Sequence, residues 1–293
     1  MLSQIVLEEI QEVLSLYLNQ EVDINNARSV SGGDINNAFR LETNRGCFFV
    51  KTNSASRYPR MFEMEALGLG MLRSVNAFTV PKVLAFSEEN ETSYLFLEWI
   101  ESTQPEPNFW QNFGKQLAQL HQNTFNGFGL NENNYIGSLP QSNQQNNTWA
   151  DFFIKERLLA QIKMAVDAGK MDNQTIKQFE TLYKELPNIF PEEPPALLHG
   201  DLWSGNYMVG NNGEPVIIDP AVYYGHREMD IAMTKLFGGF SSEMYNSYNQ
   251  QYPLQQGWED RVAICNLYPL LVHVNLFGGG YLQQVKSILS KIL

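Results

Sequence analysis

The stretch 198–206 and the strand end that follows it constrain this chain more than any other part of its sequence. Asp201 and Asn206 are five residues apart, and a glycine between them lets the chain turn sharply. Asp219 closes a run of three β-branched residues, which is typical of a strand end. Because residues 210–213 have the composition of a turn, the region predicts a loop, a short strand, a turn, a second strand and then Asp219.

Phosphoryl transfer requires the three polar side chains of this region. A carboxylate must orient the acceptor hydroxyl and take its proton, which suits Asp201. An amide oxygen and a second carboxylate must hold Mg²⁺ against the phosphates, which suits Asn206 and Asp219. The alternative is an ordinary loop followed by a strand cap. Each residue alone fits that alternative, but the ordered set of three favours phosphoryl transfer.

The same residues carry a family resemblance. His199-Gly200-Asp201-x4-Asn206 followed by Ile218-Asp219-Pro220 resembles the catalytic and metal-binding segments of the protein-kinase-like small-molecule kinases, such as aminoglycoside and choline kinases. Longer strings are similar to the fructosamine kinase (ketosamine 3-kinase) family over nearly the whole chain: 198–206 with Trp203 inside, 218–225 and 236–240. The resemblance implies an α+β, bilobal protein-kinase-like fold. It would have an N-terminal five-stranded antiparallel sheet with helices and a larger, mostly helical C-terminal lobe.

Composition narrows the class of protein but not its activity. The 293 residues are enough for two lobes of ordinary size, and a hydrophobic content of 43% can supply a core. The net charge of −12 argues against a nucleic-acid partner, which would need a basic patch. Cys47 and Cys265 form no metal-binding pair. Glu8, Glu9 and Glu12 interrupt the first apolar pattern, and no apolar run is long enough to span a membrane, so we expect a cytoplasmic protein.

The N-terminal third predicts an antiparallel sheet with two helices. Residues 2–18 place apolar side chains at helical spacing, and so do residues 59–73. Three strands are predicted between residues 27 and 51, and two more at 80–86 and 93–100.

A proline-containing stretch, 102–107, marks the predicted boundary between two lobes. The N-terminal nucleotide-binding lobe would cover residues 1–101, and the C-terminal catalytic and substrate lobe would cover residues 102–293. By resemblance, the segment before the boundary is the hinge whose backbone reads the adenine of ATP. It consists of Glu98, Trp99 and Ile100.

Two glycines occupy the turn between the first two predicted strands. Bare backbone can approach phosphates closely and offer its N–H groups, although a Gly-Gly hairpin is more often only a hairpin. The resemblance implies that this turn is the nucleotide-binding loop, with Gly32, Gly33, Asn36 and Asn37. It also implies that Lys51 binds the α- and β-phosphates. Asp34 would bring a negative charge close to them, which is unfavourable unless it points away or meets the metal.

A helix carboxylate should pair with Lys51 and fix its position. Glu63 and Glu65 are the candidates in the predicted helix 59–73. The family pattern favours Glu65, with Glu63 as the alternative.

Beyond residue 107 the chain is predicted to be mostly helical. The predicted helices are 109–122, 149–168, 172–186, 228–237, 258–276 and 281–292. Residues 123–147 have the Asn- and Gln-rich composition of a disordered segment, whereas the resemblance implies a long ordered loop near the substrate. The resemblance also implies structural roles for His199 and for Asp230, which would hydrogen-bond the backbone of the catalytic loop.

The activity implied by the resemblance is ATP- and Mg²⁺-dependent phosphorylation of the 3-hydroxyl of ketosamines, which initiates deglycation. The partner would be a small-molecule or protein-bound fructosamine, ribulosamine or erythrulosamine adduct. The indole of Trp203 can pack on a sugar ring or on the stem of the adduct. Tyr224 and His273 are the other predicted substrate contacts, although His273 fits a helix-end role equally well. We expect a monomer or weak dimer, with no nucleic-acid and no membrane partner.

Two other functions fit the same sequence. One is a kinase of another small amino-alcohol, such as an aminoglycoside or choline, against which Trp203 and the Tyr223-Tyr224 pair argue. The other is a catalytically inactive ATP-binding module, against which the intact lysine, aspartates and asparagine argue.

Overall fold

The computed structural model describes residues 3–30 and 35–293, and the chain divides into two compact units. The first unit consists of the described residues up to Pro107 together with Tyr207–Asp219. The second consists of Asn108–Asn206 together with Pro220–Leu293. The lobe boundary after residue 101 stays a prediction, and this division differs from it most in assigning 207–219 to the first unit.

The helices and strands of the described residues are numbered in chain order. The helices are α1 (Gln4–Leu18), α2 (Met61–Val75), α3 (Phe109–His121), α4 (Trp149–Phe152), α5 (Ala160–Asp167), α6 (Asn173–Ile189), α7 (Glu228–Leu236), α8 (Ser242–Gln251), α9 (Trp258–Cys265), α10 (Leu267–Phe277) and α11 (Tyr281–Ile292). The strands are β1 (Ile24–Ser29), β2 (Asn37–Thr43), β3 (Gly46–Ser54), β4 (Val83–Glu89), β5 (Thr92–Glu98), β6 (Asn134–Ile136), β7 (Leu139–Gln141), β8 (Ala196–Leu198), β9 (Tyr207–Val209), β10 (Pro215–Ile217) and β11 (Tyr223–Gly225). None of the described helices is long and apolar enough to cross a membrane.

The main sheet of the first unit is antiparallel throughout, in the order β1-β2-β3-β5-β4. The predicted five-stranded antiparallel sheet is therefore confirmed. α1 packs on β4, and α2 packs on β4 and β5. A core cluster joins α1 to one face of the sheet through Ile10, Leu14, Val22, Phe39, Leu41, Phe48, Val50, Tyr94 and Phe96.

The hairpin of β9 and β10 belongs to the first unit through its backbone. The Ile217 N–H donates to the Thr79 carbonyl at 3.2 Å, and the Glu106 N–H donates to the Gly213 carbonyl at 3.0 Å. β9 and β10 pair antiparallel, which confirms the predicted strand, turn and strand before Asp219.

The second unit is mostly helical. Its helix α8 was not predicted, and two predicted helices are interrupted. The predicted helix 149–168 contains a π-helical segment, Phe153–Leu159, between α4 and α5. The predicted helix 258–276 is two helices, because α9 ends at Cys265 and α10 begins at Leu267. Pro269 has no N–H to donate to the carbonyl four residues earlier, so the helical hydrogen bonding is interrupted there.

The Asn- and Gln-rich segment 123–147 is ordered, as the resemblance implies, and its proximity to the substrate stays a prediction. It contains the antiparallel pair β6 and β7. Backbone bridges join Phe128 to Asn146 and Gly129 to Tyr224. The segment buries several amide side chains, namely Asn134, Gln141 and Asn143.

Candidate active site

Lys51 lies on β3 and contacts two carboxylates. Its Nζ atom is 2.7 Å from Oε1 of Glu65 and 2.6 Å from Oδ1 of Asp219. Because side chains alternate along a strand, Val50 points into the core with α1, and Lys51 points to the opposite face, where α2 carries Glu65. Three charged groups of the first unit therefore meet at one place, although Lys51 and Asp219 are 168 residues apart in sequence.

The protonation states of this group depend on one lysine that pairs with two carboxylates. Burial acts to lower the pKa of Lys51, but Asp219 and Glu65 outweigh it and raise that pKa above its usual value. Burial raises the pKa of Glu65; Lys51 opposes this shift, and the charge of Asp219 adds to it. The ammonium gains from both partners, so Lys51 keeps its positive charge at neutral pH.

Of the two glutamates weighed in the sequence analysis, Glu65 is the one that contacts Lys51. Glu63 instead forms a two-point ion pair with Arg60, at 2.7 Å and 2.8 Å. That pair is exposed, with 34% of the Glu63 side chain accessible, against 11% for Glu65. The two residues therefore provide a matched comparison between a buried and an exposed carboxylate on the same helix.

Asp219 follows the buried strand β10 and has unusual backbone geometry. Its φ of 54° lies in the left-handed region, which aspartate and asparagine tolerate better than other non-glycine residues. Such conformations concentrate at functional sites, because the surroundings must hold them. The turn brings the Asp219 carboxylate to Lys51, while 37% of the side chain remains exposed.

The predicted nucleotide-binding loop is described only in part. Gly32, Gly33 and Asp34 lie outside the described residues. Asn36 accepts a hydrogen bond through Oδ1 from Nδ2 of Asn53, and Asn37 begins β2. The loop's contact with phosphates stays a prediction.

The predicted hinge is fixed by its neighbours. The Glu98 N–H donates to the Lys82 carbonyl at 3.0 Å, so a ligand contact at Glu98 would use its carbonyl. The Trp99 indole N–H donates to Glu101 at 2.7 Å, and the Arg40 guanidinium lies 4.8 Å from the Trp99 ring centroid. These contacts hold the side chain of Trp99, and the adenine-binding role stays a prediction.

Asp201 lies in the second unit, in the loop after β8, and Asp230 holds the backbone of that loop. The carboxylate of Asp230 accepts hydrogen bonds from the N–H of His199 at 2.7 Å and from the N–H of Gly200 at 2.9 Å. This confirms the structural role predicted for Asp230. Gly200 has a φ of +83°, and a Cβ there would lie 2.1 Å from the Ala221 carbonyl oxygen. The loop therefore requires glycine before Asp201.

The carboxylate of Asp230 stays ionised although it is buried. Burial acts to raise its pKa, but hydrogen bonding and charge from His121, the charge of His199 and the N–H of Gly200 lower it below the usual value. His199 is itself fully buried, and its Nδ1 accepts from the Asp201 N–H at 3.3 Å. Its contacts are those of a residue that shapes the loop, as the resemblance implies.

Asn206 orients the carboxylate of Asp201. Its Nδ2 donates to Oδ2 of Asp201 at 2.9 Å and to the Asp201 carbonyl at 2.8 Å. Both contacts use the amide nitrogen, so the amide oxygen points away from Asp201. The side chain of Asn206 is thus positioned to offer an oxygen, not a nitrogen, to another group.

The donors of Asn206 and Asp219 fit Mg²⁺ by their chemistry. An amide oxygen and a carboxylate oxygen are the hard donors this ion prefers. Residues 3–30 and 35–293 contain no group of three His, Cys, Asp or Glu side chains suited to hold a metal ion. Mg²⁺ is usually held by one or two carboxylates together with substrate phosphates and water.

A pocket within the second unit lies beside Asp201. Its walls are largely apolar, with the carboxylate at one edge, and they include Tyr223, Met229, Met233, Tyr268 and His273. Of these side chains, only His273 was predicted from the sequence to contact the substrate. Strand alternation in β11, which buries Tyr223 and leaves Tyr224 partly exposed, is the signal that could have selected Tyr223.

His273 and Trp203 belong to a cluster of rings in the second unit. The ring of Phe237 lies 6.2 Å from that of Trp203 and 5.1 Å from that of His273. Nδ1 of His273 donates to the Pro269 carbonyl at 2.7 Å, and burial lowers the pKa of His273, so the ring is neutral at neutral pH. A Cβ on Gly205 would lie 2.3 Å from the Trp203 ring, so this glycine leaves room for the indole.

Tyr224 has different surroundings. Its ring stacks on Phe125 at 4.9 Å, and its hydroxyl donates to Oδ1 of Asn123 at 3.2 Å. It is not among the residues that line the pocket beside Asp201. A substrate contact at Tyr224 stays a prediction.

The antiparallel sheet with a helix-borne glutamate on its lysine, and the mostly helical second unit, define a protein-kinase-like fold. The family model for fructosamine kinase matches residues 6–293, and the chain belongs to that family. A "Probable ketoamine kinase" from Synechocystis is 40% identical over 291 residues, covering 98% of this chain and 96% of the relative. The chloroplastic protein-ribulosamine 3-kinase of Arabidopsis thaliana is 40% identical over 270 residues, covering 90% of this chain and 82% of the relative.

Solved structures agree with this fold. A "putative fructosamine-3-kinase" from Haemophilus somnus superposes with a TM-score of 0.87 at 29% identity, covering 97% of this chain and 96% of that one. An aminoglycoside phosphotransferase solved with AMP-PNP and hygromycin B gives a TM-score of 0.66 at 17% identity, covering 96% of this chain and 98% of that one. At that identity the likeness concerns the fold alone.

Proposed function

We propose that this protein is an ATP-dependent kinase that phosphorylates the 3-hydroxyl of ketosamines, the sugar adducts of lysine or proteins. The observation that carries the proposal is the Asp201 carboxylate, held by Asn206 at 2.9 Å inside the motif that resembles the family's catalytic segment. The names of the ketoamine and ribulosamine kinases, both 40% identical to this chain, support the substrate class.

In this proposal, Asp201 binds the acceptor hydroxyl and takes its proton as the phosphoryl group arrives. A positioned base of this kind typically contributes about a hundred- to ten-thousand-fold in rate. The hydrogen bonds from Asn206 hold the Asp201 carboxylate in one orientation, so less conformational entropy is lost on reaching the transition state.

The charged group of the first unit provides the phosphate-binding side chain. Lys51 would contact the α- and β-phosphates of ATP, with Glu65 keeping its ammonium in place. Asn206 and Asp219 would hold Mg²⁺ through their oxygens. When bound, this ion neutralises part of the charge of the phosphates.

The sugar would lie against apolar and aromatic side chains close to Asp201. Trp203 offers an indole face to a sugar ring or to the aliphatic stem of the adduct, and His273 offers a neutral ring at the edge of the pocket. The phosphate added to the third carbon would labilise the adduct. We therefore propose a role in deglycation repair in the cytoplasm.

A panel of acceptors tests this function. ATP consumption with Mg²⁺ is measured for ribuloselysine, fructoselysine, choline and kanamycin, and the product is analysed for the carbon that carries phosphate. We expect turnover on at least one ketosamine and phosphate on the third carbon. Turnover only on choline or kanamycin would assign another small-molecule substrate, and ATP binding without any turnover would favour the inactive binding module.

A further inference from the structure

We propose that Gln141 is a positioning residue for Asp201. Gln141 ends β7 within the Asn- and Gln-rich segment 123–147, and its side chain is 2% exposed. From there it holds the carbonyl of Ala221, and through Ala221 the loop on which Asp201 lies. This gives a role to a segment whose composition alone suggests disorder.

The amide of Gln141 uses both of its ends. Nε2 donates to the Ala221 carbonyl at 3.2 Å and to Oδ1 of Asn134 at 2.8 Å. Oε1 accepts from the hydroxyl of Tyr268 at 2.6 Å. Asn134 in turn donates through Nδ2 to the Val222 carbonyl at 2.9 Å. Two consecutive carbonyls, of Ala221 and Val222, are thus bound by buried amides.

Ala221 passes this restraint to the Asp201 loop. Its own N–H donates to the His199 carbonyl at 2.9 Å, two residues before Asp201. Its carbonyl oxygen also fills the space that a Cβ on Gly200 would need. A shift of the Ala221 backbone would therefore move both neighbours of Asp201 on its N-terminal side. Tyr268, which donates to Gln141, lines the pocket beside Asp201.

The far end of the network is anchored by Arg157 on the π-helical segment. Its Nη2 donates to Oδ1 of Asn143 at 2.8 Å, and Nδ2 of Asn143 donates to Oδ1 of Asn134 at 2.8 Å. The guanidinium also lies 3.9 Å from the ring centroid of Tyr223. π-helical turns recur at functional sites, and here one places a buried arginine behind the amides.

Each amide of this network has its donor and acceptor ends matched to a partner. Three buried amides matched in this way favour one geometry, because flipping one of them would face donor to donor or acceptor to acceptor. An apolar cluster of the same volume would pack but would not specify where the Ala221 carbonyl lies. Hydrogen bonds are directional, so they can fix the Ala221 carbonyl and, through it, the position of Asp201. This precision matters, since a misplacement of about 1 Å can cost roughly a hundredfold in rate.

The test compares Gln141→Met with Gln161→Met. Gln161 lies on α5 in the same unit, is 1% exposed, and accepts from Nδ2 of Asn275 at 2.8 Å. Both variants remove a buried amide at nearly constant shape, but only Gln141 bonds to Ala221. Measured well below the unfolding temperature, Gln141→Met should lose about ten- to a hundredfold in kcat, with KM for ATP changed by less than about twofold. Gln161→Met should keep kcat within about twofold of the wild type.

Hydrogen exchange tests the same idea without a substrate. In Gln141→Met, peptides that cover residues 198–206 and 221–225 should exchange faster than in the wild type and in Gln161→Met. Unchanged exchange there, or a wild-type kcat in folded Gln141→Met, would overturn the proposal, and so would equal losses of kcat in both variants. The kinetic measurement rests on the proposed function. If the wild type turns over no ketosamine, that function fails, and the exchange measurement still decides whether Gln141 holds the loop.

Discussion

The surroundings of Lys51 and of Asp201 differ in what holds each side chain in place. Lys51 is held by charge, through ion pairs of 2.7 Å and 2.6 Å with Glu65 and Asp219. The loop of Asp201 is held through its backbone, by the carboxylate of Asp230 and by the Ala221 segment that Gln141 binds.

This difference predicts two kinds of sensitivity. A variant of the Lys51 group that loses a charge at constant shape should lose activity or stability, because burying a charge without its partner costs free energy. A variant of the Asp201 loop that changes shape at constant charge should lose stability or activity, because the Ala221 carbonyl oxygen fills the space beside Gly200. The variants of Lys51, Gly200 and Glu65 each change one property and keep the other.

Among the variants that separate charge from shape, the largest effect is expected for Lys51→Met, which removes the charge and keeps an unbranched side chain. Loss of the proposed cationic contact to the phosphates should lower kcat/KM about a hundred- to thousandfold. MgATP should also raise the unfolding temperature less than in the wild type. The control is Lys163→Met, which should leave activity unchanged because the Lys163 side chain is 75% exposed. Wild-type turnover in Lys51→Met would show that activity does not depend on the charge of Lys51.

Gly200→Ala changes shape without charge. The added Cβ meets the Ala221 carbonyl oxygen and requires a φ that alanine rarely adopts, so unfolding free energy should fall by about 2–4 kcal/mol. Urea unfolding measures this. The matched control is Gly70→Ala, because a Cβ on Gly70 in α2 meets nothing within 4 Å and should stabilise the helix by up to about 1 kcal/mol. If the two variants were equally stable, this would contradict the close approach of the Ala221 carbonyl oxygen to residue 200.

His226 tests whether acid weakens the second unit through a buried neutral group. Burial is the largest cause that lowers the pKa of His226, to about 4. Between an unfolded value of about 6.5 and this folded value, the unfolded chain takes up a proton that the folded protein does not. Stability should therefore fall as pH drops from about 6.5 to 4, by about 2–3 kcal/mol for this residue.

The comparison for His226 is the same pH series in His226→Gln. Urea unfolding at pH 7 and pH 5 should show a smaller loss of stability in the variant than in the wild type. Equal losses in the two proteins would show that His226 is not the group that titrates.

The smallest effects separate the two glutamates of α2. Glu65→Gln keeps an oxygen near Lys51 but removes the charge, and it should raise KM for ATP about tenfold. Glu63→Gln removes an exposed pair with Arg60 and should change stability by less than about 0.5 kcal/mol, with KM unchanged. A larger effect for Glu63→Gln than for Glu65→Gln would reverse the assignment of the helix carboxylate.

Local patterns predicted the charged region well. The strand periodicity gave the five-stranded sheet, and the family pattern chose Glu65 over Glu63 as the partner of Lys51. The sheet follows from spacing along single strands, whereas the choice of Glu65 follows from the family resemblance.

The amide network around Gln141 was not predictable in the same way. Asn and Gln are common in solvated segments, and their burial depends on carbonyls of Ala221 and Val222 that lie far away in sequence. Tyr223 was not predicted to line the pocket, although strand alternation in β11 buries it and leaves Tyr224 partly exposed. The helix break before Pro269 needed only local information, but the apolar run across it concealed the break. The assignment of 207–219 to the first unit follows from backbone contacts with Thr79 and Glu106 that no local pattern encodes.

In the proposed mechanism, Asp201 acts on the acceptor hydroxyl and does not bind the nucleotide. To test this, the kcat for ribuloselysine and the Kd for MgATP are measured in the wild type and in Asp201→Asn, whose new amide can still accept from Asn206. We expect kcat to fall about a hundred- to ten-thousand-fold while the Kd changes by less than about twofold. A variant that keeps kcat within about tenfold of the wild type, or that loses MgATP binding in parallel, would contradict it.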